Sequence, residues 1–233
     1  MKTIHLASLI FLAFFAYPFA ASASQEWDDG VKTYDIADFT RIELEGGYKV
    51  ILEQSDRPSL RIKADEESFK YIDVSSDDGT LSIELRENHF NFESMTLCIE
   101  FVKLDELEVE GGVKLETKGY LDLNDFYLTV EGGAKIEMEI KVDQLEVVGE
   151  GGVSFEFRGV AQRMNARISG AGHLVADNLK TKTVYVEIEG VGGGSVYATD
   201  YLNVKIEGVG KIRYKGDPKI DKSIDGIGFV SPD

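Results

Sequence analysis

Val109-Glu110-Gly111-Gly112-Val113-Lys114-Leu115 is the best-preserved version of a pattern that occurs eight times along the chain. The cores of the eight units are Leu44-Glu45-Gly46-Gly47, Val109-Glu110-Gly111-Gly112, Val130-Glu131-Gly132-Gly133, Gly149-Glu150-Gly151-Gly152, Ile168-Ser169-Gly170-Ala171, Ile188-Glu189-Gly190-Val191, Ile206-Glu207-Gly208-Val209 and Ile224-Asp225-Gly226-Ile227. From Gly111 onward, the third residues of these cores, called the unit glycines below, are 21, 19, 19, 20, 18 and 18 residues apart. A near-constant spacing of this size predicts stacked structural units.

Apolar residues stand at even distances from each unit glycine. Two positions before it, seven of the eight units have Leu, Val or Ile, and Gly149 is the exception. Four positions before it the residue is apolar in every unit but the last, which has Lys222. Four positions after it the residue is apolar except at Gly194. Alternation with a period of two predicts strands that bury one face.

These features predict an all-β fold, namely a right-handed parallel β-helix (β-solenoid). A single unit cannot bury its own apolar face, so units of about 18–21 residues would stack as coils around a shared core. Glycine-rich corners would form where each coil bends. An antiparallel β-sandwich also has short alternating strands and is the alternative fold.

Gly46 and Gly111 are 65 residues apart, and the region between them interrupts the rhythm. We expect strands at Leu60–Ala64, Leu81–Leu85 and Thr96–Val102, and a short helical turn at Glu66–Tyr71. Longer coils that lack the glycine corner would account for this region.

The amino-terminal segment has the pattern of an export signal. A positively charged start is followed by an apolar run from Leu6 to Ala16 and by the small-residue site Ala21-Ser22-Ala23. The predicted organisation is a signal peptide at 1–23, a linker or cap at 24–38 and the repeat domain at 39–233. We expect an exported protein, located in the periplasm, on the cell surface or outside the cell.

Charge and cysteine content narrow the classes of partner. The formal net charge of −17 disfavours nucleic acid, because a phosphate backbone would be repelled. Cys98 is the only cysteine, so the fold has no intramolecular disulfide and depends on its core. We expect Cys98 to be a buried structural thiol in an apolar strand.

Three stretches give the chain a family resemblance: Phe39–Val50, Tyr71–Val74 with Asp78–Ile83, and Gly208–Pro218 with Gly226–Gly228 after it. They resemble the bacterial family of auto-transporter adhesin heads with a GIN domain, from about Phe39 to Pro232. The resemblance implies a β-helical adhesin head and brings no catalytic residues. The family has small polar residues just before the glycine corner, whereas this chain has mostly Glu there, which implies a different partner.

No residue pattern indicates a catalytic or metal centre. His89 and His173 stand outside any metal-ligand motif, and a zinc site needs three or four converging ligands. Glu137 and Glu139 would be catalytic candidates only if other polar groups converged on them. We therefore expect no enzyme activity and no cofactor.

The position just before the unit glycine is acidic in seven of the eight units. These candidate binding residues are Glu45, Glu110, Glu131, Glu150, Glu189, Glu207 and Asp225. In stacked coils they would form an outward acidic column that binds cations such as Ca²⁺, or a basic or carbohydrate partner. The alternative is a solvated face, neutralised by lysines three positions after the glycine, such as Lys49, Lys114 and Lys135.

The sequence thus predicts an exported binding or adhesion module of the cell envelope without catalysis. A β-helical carbohydrate-active enzyme and a structural periplasmic protein are the alternatives. The partner remains unknown at this stage, and a cell-surface or carbohydrate ligand or another envelope protein would fit.

Overall fold

A computed structural model describes residues 29–86 and 95–233 and contains almost only β-strands. The strands are β1 Asp29–Tyr34, β2 Arg41–Gln54, β3 Ser59–Asp65, β4 Ile72–Asp77, β5 Thr80–Leu85, β6 Thr96–Phe101, β7 Glu106–Thr117, β8 Leu121–Asp122, β9 Asp125–Lys215 and β10 Lys219–Pro232. A 3-10 turn at Ser68–Tyr71 is the only helical element of the described residues. The all-β prediction is confirmed, as are the three strands and the helical turn expected between Gly46 and Gly111.

From β2 onward, equivalent positions of successive units lie side by side in parallel strands. Gly46 pairs with Gly111, and Gly111 pairs with Gly132, so β2, β7 and β9 stack exactly one unit apart in register. At the other end of the sheet, Gly226 of β10 pairs with Gly208 of β9. The sequence repeat therefore corresponds to a structural repeat in these strands.

β9 is continuous in extended conformation through five units. A Cβ added to any of its unit glycines would lie within 2.7 Å of the carbonyl oxygen of the preceding unit glycine. These glycines are Gly132, Gly151, Gly170, Gly190 and Gly208. Gly226 of β10 continues the same contact against Gly208. The unit glycines thus form one column from Gly46 to Gly226.

The amino-terminal third is not purely parallel, which corrects the expectation of a parallel helix throughout. β3 pairs antiparallel with both β1 and β6, and β4 pairs antiparallel with β5. β4 and β5 are joined by the two-residue turn Asp78-Gly79, and a short connection of this kind joins antiparallel strands. β3 instead lies between β1 and β6, which are distant from it in sequence. β1 lies at one end of the strand order and β10 at the other.

β5 and β6 together occupy the place of one coil. β5 pairs in parallel with residues 41–45 of β2, and β6 pairs in parallel with residues 49–54 of the same strand. After Glu84, the residue beside Gly46 is Leu85, where the other units have their unit glycine. Residues 87–94, which connect the two halves, lie outside the described residues, so the expectation of a longer coil without a glycine corner stays a prediction.

The core lies inside the stack and is built from the residues that stand at even distances from each unit glycine. Leu107, Leu128, Val147, Val186 and Val204 are all fully buried four positions before their unit glycines. Burying a side chain of this kind contributes about 1.5–3 kcal/mol. Residues at odd distances from the unit glycine point outward. The sequence of each corner therefore determines a strip of surface.

Candidate binding surface

The unit glycines bend the chain with a backbone conformation that other residues resist. Gly208, for example, has φ +122°, and a Cβ there would lie 2.2 Å from the carbonyl oxygen of Gly190. Side chains are therefore excluded from the bend itself. The residues on either side of it form the exposed edge of each coil.

The acidic residues before the unit glycines line up along this edge. Glu45 pairs with Glu110, Glu110 pairs with Glu131, and Asp225 pairs with Glu207. The column of unit glycines places the remaining members, Glu150 and Glu189, between them. All seven side chains are exposed. We call this row the acidic column.

The acidic column has one more member, at its β5 end, than the sequence repeat predicts. Glu84 of β5 pairs with Glu45 on the side opposite Glu110, so four carboxylates follow one another in the order Glu84, Glu45, Glu110, Glu131. Strands in a sheet are about 4.8 Å apart, so these neighbours repel one another. Glu84 was missed because its unit lacks the glycine pair; its position five residues after Gly79 in a short strand gave no repeat signal.

A groove of about 270 Å³ runs beside these four residues and has six carboxylate side chains in its lining. They are Glu43, Glu45, Glu84, Glu108, Glu110 and Glu131, and we call this the acidic groove. Below it, burial raises the pKa of Tyr48, whose hydroxyl donates a hydrogen bond of 3.1 Å to the carbonyl of Ile83. That bond fixes β5 against β2 and so holds Glu84 beside Glu45.

A single arginine neutralises one side of the acidic groove. Arg41 Nη2 lies 2.7 Å from Glu108 Oε1, its Nε lies 3.2 Å from Glu43, and its Nη1 lies 3.4 Å from Glu106. The hydrogen bond to Glu108 raises the pKa of Arg41. Within the described part of the chain, Glu45, Glu84, Glu110 and Glu131 have no ion pair.

The lysines after the unit glycines do not neutralise the acidic column. Lys49 pairs with Glu116 at 2.7 Å, and Lys135 pairs with Glu137 at 2.8 Å, both beyond the corner. Lys211 lies over the ring of Phe229, 4.8 Å from its centroid. Of the column itself, Glu207 has a cation, Lys205, at 2.7 Å, but that lysine stands before the corner. Within the described residues, the alternative of neutralisation across the corner is therefore not supported by these contacts.

The corner changes its construction between the fourth and fifth units. In the fourth, Gly149 stands two positions before the unit glycine, and Val153 is buried two positions after it. In the fifth the arrangement is reversed, with buried Ile168 before and Gly172 after. A Cβ on Gly172 would lie 2.2 Å from Ile168 Cγ2, so the isoleucine fills the space that Val153 fills one coil earlier.

The last three units also have an aliphatic side chain at the surface. Val191, Val209 and Ile227, which directly follow their unit glycines, are 61%, 47% and 74% exposed. Beside them runs an open depression of about 460 Å³, called the apolar trough. Its floor is Gly172, Gly192, Gly210 and Gly228, and its far wall includes His173, Lys211 and Phe229.

The family of the chain follows from its sequence. Residues 38–218 match the family model described as "Putative auto-transporter adhesin, head GIN domain". The chain belongs to this family. The family resemblance of the three quoted stretches is thereby confirmed.

Solved structures share the fold of this GIN domain. A putative adhesin from Bacteroides fragilis is 23% identical, with a TM-score of 0.84 over 88% of this chain and 97% of that one. A putative lipid binding protein from Parabacteroides distasonis is 25% identical, with a TM-score of 0.66 over 88% and 96% of the two chains. A putative adhesin from Parabacteroides merdae is 23% identical, with a TM-score of 0.64 over the same shares. No curated protein matches the chain.

The two glutamates considered for catalysis lie at alternate outward positions of β9. Glu137 pairs with Lys135, and the hydrogen bond from that lysine lowers the pKa of Glu137. A general acid needs a raised pKa, so the shift argues against Glu137 as the acid of glycoside hydrolysis, whereas a nucleophile or general base would have to be ionised. Glu139 is exposed, and its backbone N–H donates a hydrogen bond to Thr117 Oγ1 at 3.0 Å.

Metal-binding residue types are dispersed along the GIN domain. Within residues 29–86 and 95–233, no group of three or more His, Cys, Asp or Glu side chains is arranged to hold a metal ion. The carboxylates of the acidic column stand in a row and do not converge, so the geometry gives no support to a Ca²⁺ site. His173 is exposed in the wall of the apolar trough.

Three further expectations concern single segments. Cys98 is half-buried in β6, not fully buried, because its side chain lies on the outward side of that strand between Ile51 and Arg61. His89 and the signal peptide at 1–23 lie outside the described residues. No helix in the described residues is long and apolar enough to cross a membrane.

Proposed function

We propose that this protein is an exported, non-catalytic binding and adhesion module of the cell envelope, and that the acidic groove is its contact surface. The supporting observation is the row Glu84, Glu45, Glu110 and Glu131, whose carboxylates have no ion pair within the described residues. Four neighbouring like charges cost stability and do nothing for the core. A partner that supplies positive charge or hydrogen-bond donors would relieve this repulsion.

The chemistry of the groove favours a basic partner. Carboxylates accept hydrogen bonds and attract Lys and Arg side chains over a distance set by the salt concentration. Ser82 and Thr129 add hydroxyl groups to the lining, and these would also suit the hydroxyl groups of a carbohydrate. The acidic column extends this surface through Glu150, Glu189, Glu207 and Asp225.

The proposal includes the architecture that presents this surface. We propose that residues 106–232 wind as a right-handed parallel β-helix, which the parallel register of β7, β9 and β10 supports. The organisation would be a signal peptide at 1–23, a linker or cap at 24–38 and the binding domain at 39–233. The match of residues 38–218 to an adhesin-head family supports both export and a binding role.

A titration with a defined basic probe tests the proposal. Octalysine should bind the mature chain, and the triple variant Glu45→Gln, Glu110→Gln, Glu131→Gln should bind at least about tenfold more weakly. The charge-matched control is Glu139→Gln, Asp143→Asn, Asp200→Asn, which removes three exposed acids elsewhere. Equal loss of affinity in both triple variants would show that only net charge matters and would refute the acidic groove as a site.

The enzymatic alternative is tested separately. The mature chain should release no products from a panel of polysaccharides. Turnover that disappears in Glu137→Gln or Glu139→Gln would replace the proposal with a carbohydrate-active enzyme.

A further inference from the structure

A second surface of the molecule is apolar, and the acidic groove does not explain it. Val191, Val209 and Ile227 are among the most exposed large hydrophobic residues of the described chain. The first four units have glycine at the equivalent position, so the fold does not require aliphatic side chains there. Exposed apolar surface with charged residues along its side is typical of interaction sites, and Glu189 and Asp225 lie beside this strip.

We propose that the apolar trough docks a short amphipathic helix of a partner protein, with basic residues along one edge of that helix. This inference rests on the proposed role as a binding module and adds a second surface with a partner of defined shape.

The spacing of the strip matches a helix better than an extended chain. Neighbouring coils are about 4.8 Å apart, so the aliphatic side chains repeat at that interval. One turn of an α-helix advances about 5.4 Å, whereas residues on one face of an extended strand are about 6.6 Å apart. A helix laid along the stack can therefore place one apolar side chain over each glycine of the floor.

The charges beside the trough specify the orientation of such a helix. On one flank, Glu189, Glu207 and Asp225 stand two positions before the exposed aliphatic residues and also point outward. Glu207 is already paired with Lys205, so Glu189 and Asp225 supply the charge for a basic helix. On the other flank, Lys211 packs on Phe229 and leaves little negative charge. Lysine or arginine along the first flank of a bound helix would pair with the acidic column.

The size of the surface argues against a second copy of this chain as the occupant. The floor of the trough covers four coils, about 14 Å, and the three outward columns span about 13 Å. The resulting footprint of roughly 200 Å² is far below the roughly 800 Å² per partner of a stable interface. A helix of about ten residues, roughly 10–12 Å in diameter, covers it fully.

A peptide titration tests the inference. The probe is a labelled helix of about 14 residues made from Ala, Leu and Lys, with leucines at i, i+4, i+7 and i+11 and lysines on one flank. We expect binding to the mature chain with a Kd below about 1 mM, and at least about tenfold weaker binding by Val191→Ser/Val209→Ser. The control Val102→Ser/Val160→Ser replaces two valines of similar exposure elsewhere and should bind normally. A shuffled peptide of the same composition should bind at least about tenfold more weakly.

Several outcomes would overturn the inference. Absence of binding up to about 1 mM peptide would do so. Equal affinity for the shuffled peptide, or for the Val191→Ser/Val209→Ser variant, would also do so. If that variant instead lost binding to phosphatidylglycerol vesicles or to dodecanoate, the trough would be a lipid site. If it abolished self-association of the protein alone, the occupant would be a second copy.

The failure of this inference is separable from failure of the proposed function. The triple variant Glu45→Gln, Glu110→Gln, Glu131→Gln should leave the affinity for the helical peptide within about twofold, because those residues lie in the early units. Normal octalysine binding together with no peptide binding would refute the apolar trough and leave the acidic groove in place.

Discussion

At the scale of single residues, glycines determine how closely the coils approach one another. Gly208 combines a positive φ with a Cβ position that would overlap a backbone oxygen of the neighbouring coil. Gly172 is different, because its restriction comes from the side chain of Ile168 within its own unit. The two kinds of glycine should respond differently to substitution.

Gly208→Val should destabilise the protein by about 1–3 kcal/mol more than Val209→Ala. The first change introduces backbone strain and a contact of 2.2 Å with the oxygen of Gly190, whereas the second shortens an exposed side chain. Chemical denaturation of both variants measures the difference. Equal shifts of the unfolding midpoint would show that Gly208 does not occupy a tight corner.

Gly172→Ala should destabilise the protein by about 1–3 kcal/mol through overpacking against Ile168. Ile168→Ala alone should cost about 2–5 kcal/mol, because it leaves a cavity. In the double variant the new methyl group no longer meets Cγ2, so the combined loss should be at least about 0.5 kcal/mol smaller than the sum. Strict additivity in a double-mutant cycle would contradict the exchange of volume between these two positions.

At the scale of strands, ion pairs connect successive coils on the outward face. Glu187 accepts hydrogen bonds from Lys205 Nζ at 2.7 Å and from Arg167 Nε at 2.9 Å, which come from the next and the preceding unit. These bonds lower the pKa of Glu187, with Lys205 as the larger cause. Its carboxylate is only 20% exposed, so water screens the contact less than at an open surface.

The stability that Glu187 contributes should depend on pH. A carboxylate with a lowered pKa in the folded state stabilises the protein above its unfolded value of 4.5, and this stabilisation is lost as pH falls through the lower folded value. Glu187→Gln should therefore be less stable than the parent protein at pH 7, and the difference should shrink below about pH 4. Thermal unfolding across this range measures it. A constant difference from pH 7 to pH 3 would contradict the assignment.

Much of this element structure was predictable from the sequence, and the reasons are specific. The alternation around Gly111 and Gly132 gave the strands and their inward faces because burial on one face imposes a period of two. The antiparallel pairing of β3 with β1 and β6 was not predictable, since its short alternating stretch fits either direction. The pairing of β4 with β5 does have a signal, because Asp78-Gly79 between them is typical of a hairpin turn. Glu84 was missed because no glycine pair follows it, so alignment on the unit glycines did not include its strand. Lys49 and Lys135 turn away from the acidic column, and this depends on side-chain conformation. Aligned sequence positions contain no information about it.

At the scale of the whole molecule, the stack has two ends that must not recruit other strands. β10 lies at one end of the strand order, and its outer edge has no partner among the described strands. Lys222 occupies a column whose other members are buried and apolar, yet it is exposed at this end. A charge in an inward column is a known means of blocking edge-to-edge pairing.

Lys222→Val should therefore make the protein self-associate as its concentration rises. The control Lys219→Val removes the same charge from an outward position of the same strand and should stay monodisperse. Sedimentation velocity at increasing concentration distinguishes the two variants. Identical behaviour would show that net charge, and not the inward position, protects this end.

The proposed binding surface depends on one straight column of units from Glu45 to Asp225. Distances along this column test it most directly. In a Cys98→Ser background, nitroxide labels at Glu45 and at Glu189, Glu207 or Asp225 are separated by five, six and seven coil spacings. Pulsed electron paramagnetic resonance should give distances of about 24, 29 and 34 Å, which increase by one strand spacing per unit. Three similar distances, or distances that do not increase in this order, would contradict the stacked column and the binding surface derived from it.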